Sequence, residues 1–166
     1  MLRKFVLTMI TAGMLFSCSS DKEDEGTNTS AILGTWDLTA LEIDENNATT
    51  DEEFGKEILD ALTAEQCYII TLTFNEDLSV VSQNSGNYIE INVNPGGTGL
   101  DVPCPTESDT DISTYTFDGE RLTYIDDSLE TVTVTVQISG NTMSINAVEF
   151  GIDNFDTGGQ LIFTRR

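Results

Sequence analysis

Polar and apolar residues alternate along most of the chain from Tyr68 onward. The clearest segment runs from Leu129 to Ile138, and from Thr131 on valine or isoleucine occupies one face and threonine or glutamine the other. A period of two is typical of a strand with one buried face. Tight-turn pairs, such as Asp118-Gly119 and Gly140-Asn141, follow such segments closely. The pattern therefore predicts short strands that follow one another in antiparallel order.

Residues 31–166 hold about eight such segments, which predicts an all-β domain. We expect an up-and-down antiparallel barrel, because closure removes the exposed edges of a meander. A two-sheet sandwich is the alternative. The first strand, Ile32 to Asp44, changes its apolar parity after Ala40, which predicts a bulge there. A further strand is predicted by the alternation of Ile89, Ile91 and Val93.

One short helix is expected after the first strand. Thr50 followed by Glu53 matches a capping box. The apolar residues that follow share one face at helical spacing and predict an amphipathic helix from Asp51 to Thr63; they are Phe54, Ile58, Ala61 and Leu62.

The first 17 residues have the pattern of an export signal. Arg3 and Lys4 precede an apolar run that is too short to span a bilayer. The run ends in Leu15-Phe16-Ser17-Cys18, which resembles a bacterial lipobox. That resemblance implies removal of residues 1–17 and a lipidated Cys18, carrying diacylglycerol and an acyl chain such as palmitate. An ordinary signal peptide is the alternative.

Residues 18–30 are polar and predict a flexible tether between the lipid and the folded domain. Ser19 is the kind of residue that accompanies outer-membrane sorting in Gram-negative lipoproteins. The acidic stretch Ser20 to Glu25 resembles a surface-export signal of some of those bacteria, with a plain solvated linker as the alternative. The expected location is the outer membrane, anchored by lipid, on either its inner or its outer side.

The net charge argues against two classes of partner. Of seven basic residues, Arg3 and Lys4 lie in the predicted signal, so residues 18–166 hold 29 acids, five bases and a net charge of −24. Such a field repels nucleic acid and anionic lipid head groups. We therefore expect no nucleic-acid partner, and membrane contact only through the lipid on Cys18.

The cysteines predict one disulfide. With Cys18 assigned to lipid, Cys67 and Cys104 remain in an exported chain, where a pair of this kind is commonly oxidised. Two buried thiols are the alternative. Cys104 lies in a long loop, Asn94 to Asp111, which the disulfide would hold against the strand that starts near Cys67.

The opening of the domain, Gly34-Thr35-Trp36, looks like the Gly-x-Trp signature on the first strand of lipocalins. Weaker likenesses continue to Arg166, including Tyr115 to Phe117 and Gly140 to Met143. Together these features resemble the small lipocalin-like lipoproteins of Gram-negative bacteria. The predicted helix departs from that pattern, because lipocalins have a loop there.

The resemblance implies two sites. An arginine on the last strand, Arg165 or Arg166, would lie across Trp36 and close the barrel. Inward apolar faces would line a cavity for a small apolar ligand. The candidate lining residues are Ile70, Leu72, Val134 and Val136.

Catalytic and metal chemistry has little support in the sequence. The chain has no histidine, which removes the common nucleophile pairs and zinc sites. We therefore expect no catalytic residues, no enzymatic activity and no cofactor. Glu107, Asp109 and Asp111 alternate in a loop and are weak calcium candidates, with a solvated acidic loop as the default.

The sequence thus predicts a non-catalytic outer-membrane lipoprotein that binds a small apolar ligand. The alternative is a surface module with a filled barrel, which would bind a partner protein or a glycan through its acidic loops. No particular partner protein is indicated.

Overall fold

A computed structural model describes residues 29–93, 99–126, 128–151 and 158–166. The predicted signal peptide, Cys18 and most of the predicted tether lie outside these residues. Eight antiparallel strands close into a barrel, each paired with the next along the chain and the last paired with the first. This confirms the up-and-down barrel. The strands are β1 Gly34–Glu42, β2 Ile70–Phe74, β3 Ser79–Asn84, β6 Asp109–Phe117, β7 Arg121–Ile125, β8 Thr131–Ser139, β9 Thr142–Asn146 and β10 Gln160–Arg165.

The connection from β3 to β6 leaves the barrel. It contains a 3₁₀ turn, Gly86–Tyr88, and a two-residue ladder between β4, Asn92–Val93, and β5, Leu100–Asp101. The prediction of a longer strand through Ile89, Ile91 and Val93 is therefore wrong. The alternation is present, but Ile91 and Val93 are 45% and 70% exposed, so no buried face supports a strand there.

The bulge predicted near Ala40 is confirmed. Leu38 pairs with Phe163 and Ala40 with Ile162, so Thr39 is an extra residue in β1. The bulge changes which residues face inward, and Leu41 is therefore buried together with Trp36 and Leu38.

One α-helix, α1, spans Thr50–Ala64 within the described part of the chain. Its capping box is formed by Thr49 and Glu52, one residue earlier than predicted: Glu52 N donates to Thr49 Oγ1, and Thr49 N donates to Glu52 Oε2. The buried face also differs from the prediction. Ile58 and Leu62 are buried as expected, and so are Leu59 and Glu52, whereas Phe54 and Ala61 are exposed.

The interior is packed unevenly. Large side chains from β1, β8, β9 and β10 fill one side of it with almost no exposure. These include Trp36, Leu38, Val134, Val136, Met143, Ile145, Leu161 and Phe163. The other side, enclosed by β2, β3, β6 and β7, is where a cavity remains.

The two ends of the barrel are closed differently. At the end where β1 begins, a 3₁₀ turn over Thr29–Ala31 leads into Ile32, which is fully buried; we call this the closed end. At the opposite end, α1 and the β3–β6 connection lie beside the strand ends. The predicted tether and domain meet in this first turn, since Thr29 and Ser30 belong to it.

Candidate functional site

A cavity of about 500 Å³ lies within the barrel, against β2, β3, β6 and β7. This volume is within the range of small-molecule sites, which hold roughly 300–1,000 Å³. We call it the barrel cavity. It is the best candidate for a functional site in the described residues, because buried apolar side chains and exposed polar groups meet there.

Buried side chains form the apolar wall of the barrel cavity. Leu72 and Phe74 come from β2, Val80 from β3 and Leu122 from β7, and all are less than a tenth exposed. An edge-to-face contact with Tyr115, with ring centroids 5.0 Å apart, fixes the ring of Phe74. The apolar wall is therefore held in place by packing.

A polar wall comes from two paired strands, β3 and β6. Ser82 and Asn84 lie on β3, and Asp111 and Ser113 lie on β6. Ser82 and Asp111 are register partners, so their side chains lie next to each other on the inner face. The cavity therefore offers hydrogen-bonding groups next to its apolar wall.

Ser113 explains why the barrel opens here. The β6–β7 backbone ladder runs from Phe117 to Tyr115 and stops there. Beyond it, the Ser113 hydroxyl donates to Ile125 O at 2.7 Å and accepts from Ile125 N at 3.2 Å. A side chain thus takes the place of backbone hydrogen bonds, which spreads the two strands and leaves room between them.

Three apolar side chains beside this opening are exposed to solvent. Ile112 is 74%, Ile125 36% and Leu129 85% exposed, and all three line the barrel cavity. Leu129 also has a backbone φ of +64°, which is uncommon for a residue with a side chain of this kind. Solvated apolar groups at the mouth of an apolar cavity are typical of a binding site.

Tyr124 of β7 also lines the cavity and is half-buried. Burial raises the pKa of its hydroxyl, and the negative charge of nearby Asp126 raises it further. The phenol is therefore neutral at physiological pH. It places a hydroxyl group that can donate or accept a hydrogen bond beside the cavity.

The closed end is sealed by Trp36 and Arg165. The guanidinium carbon of Arg165 lies 4.3 Å from the centroid of the Trp36 ring. Arg165 Nη2 donates to Ala31 O at 2.6 Å, and Trp36 Nε1 donates to Ile32 O at 2.7 Å. Of the two arginines predicted for this role, the structure places Arg165 over the ring.

Arg166 has a different partner. It donates two hydrogen bonds to the carboxylate of Asp37, which is only 4% exposed. Thr71 Oγ1 donates a third to the same carboxylate. Arg166 therefore ties β10 to β1 on the outer face of the barrel, and Thr71 ties in β2.

Gly34 has a specific role at this end. Its φ of +112° lies in the region that favours glycine, and a Cβ there would be 3.9 Å from the Arg165 side chain. The glycine of the Gly-x-Trp sequence thus permits the turn into β1 beneath the arginine.

The predicted disulfide is present. Cys67, just after α1, and Cys104 in the β3–β6 connection are bonded, with Cα atoms 5.8 Å apart. Cys67 packs with Ile58 and Leu62 of α1, and Ile89 and Val102 of the connection pack against the same group. The disulfide therefore fastens the connection onto the helix in a small second core.

The weak calcium candidates do not form one site. Asp109 accepts hydrogen bonds from Tyr88 Oη at 2.7 Å and from Asn87 Nδ2 at 3.0 Å, which lower the pKa of its carboxyl. Asp111 lines the barrel cavity, whereas Glu107 lines a second cavity of about 430 Å³ beside Pro103 and Pro105. In the described ranges, no three acidic, histidine or cysteine side chains are grouped so as to hold a metal ion.

The predicted cavity residues occupy different positions. Leu72 lines the barrel cavity. Ile70, Val134 and Val136 face inward and are buried in the main core. Sequence reasoning missed the polar wall, although the inward parity of Ser82 and Ser113 on their strands was a usable signal. The role of the four predicted residues, Ile70, Leu72, Val134 and Val136, in ligand binding stays a prediction.

Comparison of the chain with protein-family models, with curated proteins and with solved structures found no match. In the portion that the structure describes, no helix combines the length and apolar character needed to cross a bilayer.

Proposed function

We propose that this protein is a lipid-anchored, lipocalin-like outer-membrane protein that binds a small apolar ligand in the barrel cavity. The observation that carries the proposal is the cavity itself. It has about 500 Å³ of space, a wall of buried aliphatic and aromatic side chains, and exposed apolar groups at its mouth. In this proposal the protein binds its ligand and does not transform it.

The filled half of the barrel supports this function. Packing around Trp36, Met143 and Phe163 makes the scaffold rigid, since these side chains are completely or almost completely buried. A rigid wall costs little ordering entropy when a ligand binds. The ligand would thus enter a site whose shape is largely formed beforehand.

The test uses N-phenyl-1-naphthylamine, a neutral apolar fluorophore, with the soluble chain that lacks residues 1–18. The barrel, α1 and the disulfide all lie beyond that segment. We expect the fluorophore to brighten on binding and to raise the melting temperature, as a ligand of the folded state must.

A matched pair of variants tests whether the fluorophore binds in the barrel cavity. Ser82→Phe adds a ring on the inner face of β3, where Ser82 lines the cavity, and should abolish the fluorescence gain. Gln83→Phe adds the same ring at the next, exposed position and should leave it unchanged. Circular dichroism and Trp36 emission confirm that both variants fold.

Absence of binding by the wild-type chain, or equal binding by both variants, would contradict the proposal. The first result would favour the interaction module with acidic loops. The second would place the fluorophore on the outer surface.

The anchoring part of the proposal rests on the lipobox resemblance at Cys18. Several acyl chains give stable membrane attachment where one is marginal. In a Gram-negative host, Cys18→Ser should move the protein from the outer-membrane fraction to the soluble fraction. Retention of that variant in the membrane would contradict lipid anchoring at Cys18.

A further inference from the structure

None of the basic residues of the barrel domain lines the barrel cavity. Residues 29–166 contain four basic residues. Lys56 is on α1 and forms an ion pair with Asp60 at 2.7 Å. Arg121 begins β7, Arg165 ends β10 and Arg166 follows it. These three residues therefore lie toward the closed end. None of residues 94–98, 127 and 152–157, which the structure does not describe, is basic.

The charged groups that line the barrel cavity are acidic. Asp111 projects from β6 and Asp126 follows β7, on the two strands that separate at Ser113. Ser82 of β3, the register partner of Asp111, adds a hydroxyl oxygen that can accept a hydrogen bond. The polar wall is thus arranged to receive protons or positive charge.

We infer that the ligand is an amphiphile with a cationic or hydrogen-bond-donating head group, such as a long-chain amine, and is not a fatty-acid anion. Its apolar part would contact Leu72, Phe74 and Leu122, and its head would face Asp111 and Asp126. The inference rests on the proposed function, because it names the ligand class of the same cavity.

The physical reason is charge complementarity. A carboxylate head would meet two like charges with no cation to offset them, whereas an ammonium would meet two opposite charges. The total charge of the protein acts in the same direction at long range but is screened by salt. Specific pairing inside the cavity should therefore persist at salt concentrations that suppress non-specific attraction.

The experiment measures displacement of N-phenyl-1-naphthylamine from the soluble chain by dodecylammonium, dodecanol and laurate at pH 7 and moderate salt. The three probes share one alkyl chain and differ in the head. We expect dodecylammonium to displace the fluorophore at about tenfold lower concentration than dodecanol, and laurate to be at least about tenfold weaker than dodecanol.

Variants separate the cavity from the general acidity of the protein. Asp111→Asn and Asp126→Asn should each reduce the preference for dodecylammonium over dodecanol several-fold. Asp101→Asn removes the same charge from an exposed position on β5 and should leave the preference for dodecylammonium unchanged. Ser82→Phe blocks the cavity, so any binding that remains in this variant is binding to the surface.

The outcomes distinguish this inference from the proposed function. Absence of fluorophore binding by the wild-type chain would overturn the proposed function and this inference with it, whereas failure of all three probes to displace a bound fluorophore would overturn the inference alone. Displacement by laurate as strong as that by dodecylammonium would overturn the inference alone. An ammonium preference that Asp101→Asn weakens as much as Asp111→Asn, or that survives Ser82→Phe, would also overturn it.

Discussion

Trp36 and Arg165 are register partners on β1 and β10, and the guanidinium of Arg165 stacks on the indole ring with 4.3 Å between its carbon and the ring centroid. The first and last strands of the barrel thus join through a contact between side chains as well as through backbone hydrogen bonds. We therefore expect this contact to stabilise the closed end.

Arg165→Ala should lower the free energy of unfolding by about 2 kcal/mol. The change removes a cation-π contact of roughly 0.5–2 kcal/mol and a hydrogen bond of about 1 kcal/mol. Unfolding in urea measures this loss of free energy. Trp36, the single tryptophan, should report unfolding by a shift of its emission to longer wavelength. Arg121→Ala, at an exposed position, is the control and should change stability by less than about 0.5 kcal/mol. Equal effects would mean that the stacking contributes nothing.

Replacing both cysteines, Cys67→Ser with Cys104→Ser, should cost about 2–4 kcal/mol of stability. The bond closes a loop between residues 37 positions apart, which restricts the unfolded chain. Fluorophore binding should survive, because β2, β3, β6 and β7 form the barrel cavity. Thermal unfolding with and without a reductant measures the loss of stability, and reduced wild type should match the double variant. A variant as stable as oxidised wild type would contradict the prediction.

Asp109→Asn should destabilise the protein in a pH-dependent way. The hydrogen bonds from Asn87 and Tyr88 lower the pKa of Asp109 in the folded state. A lowered folded pKa gives stability that is present above the unfolded pKa, near 3.9, and is lost as pH falls through the folded value.

The melting temperatures of wild type and Asp109→Asn should therefore differ most near pH 7 and converge as the pH falls through the folded pKa of Asp109, below which the carboxyl is protonated in both states. Asp101→Asn separates the loss of one charge from the loss of these hydrogen bonds. A difference that stays constant down to pH 2 would show that the carboxylate form has no special role.

Leu129→Asn should separate stability from binding. Asparagine tolerates a positive φ better than leucine, so stability should stay equal or rise by about 1 kcal/mol. Removal of an apolar side chain from the mouth of the barrel cavity should weaken fluorophore binding several-fold. Leu78→Asn is a close control, since Leu78 has the same φ of 64° and lies in the β2–β3 turn. Leu78→Asn should leave fluorophore binding unchanged. Equal losses of binding in both variants would contradict a role for Leu129 at the mouth of the barrel cavity.

Sequence patterns predicted the fold well where one strand face is buried. The bulge could be found because the chain changes parity in the middle of a strand. The helix start was wrong by one residue because Thr49 and Thr50 are each followed by glutamate three positions later, and both pairs match a capping box. Glu52 and Leu59 are buried, and their burial depends on tertiary packing that the local pattern does not contain.

The barrel cavity was harder to predict than the barrel. Alternation shows which side chains face inward, but not whether they meet other side chains or empty space. Val134 faces packed neighbours, whereas Leu72 faces the cavity. The difference depends on where the β6–β7 ladder ends, and the bonds of Ser113 to Ile125 that end it have no signature in the sequence.

The pairing of β1 with β10 also sets the order of events during synthesis. Trp36 meets its partner only after residues up to Arg165 have been made, so a growing chain can form hairpins but cannot close the ring. Contacts between such distant residues slow folding. If the chain is exported as proposed, it can therefore remain unfolded during translocation and complete its barrel only on the far side of the membrane.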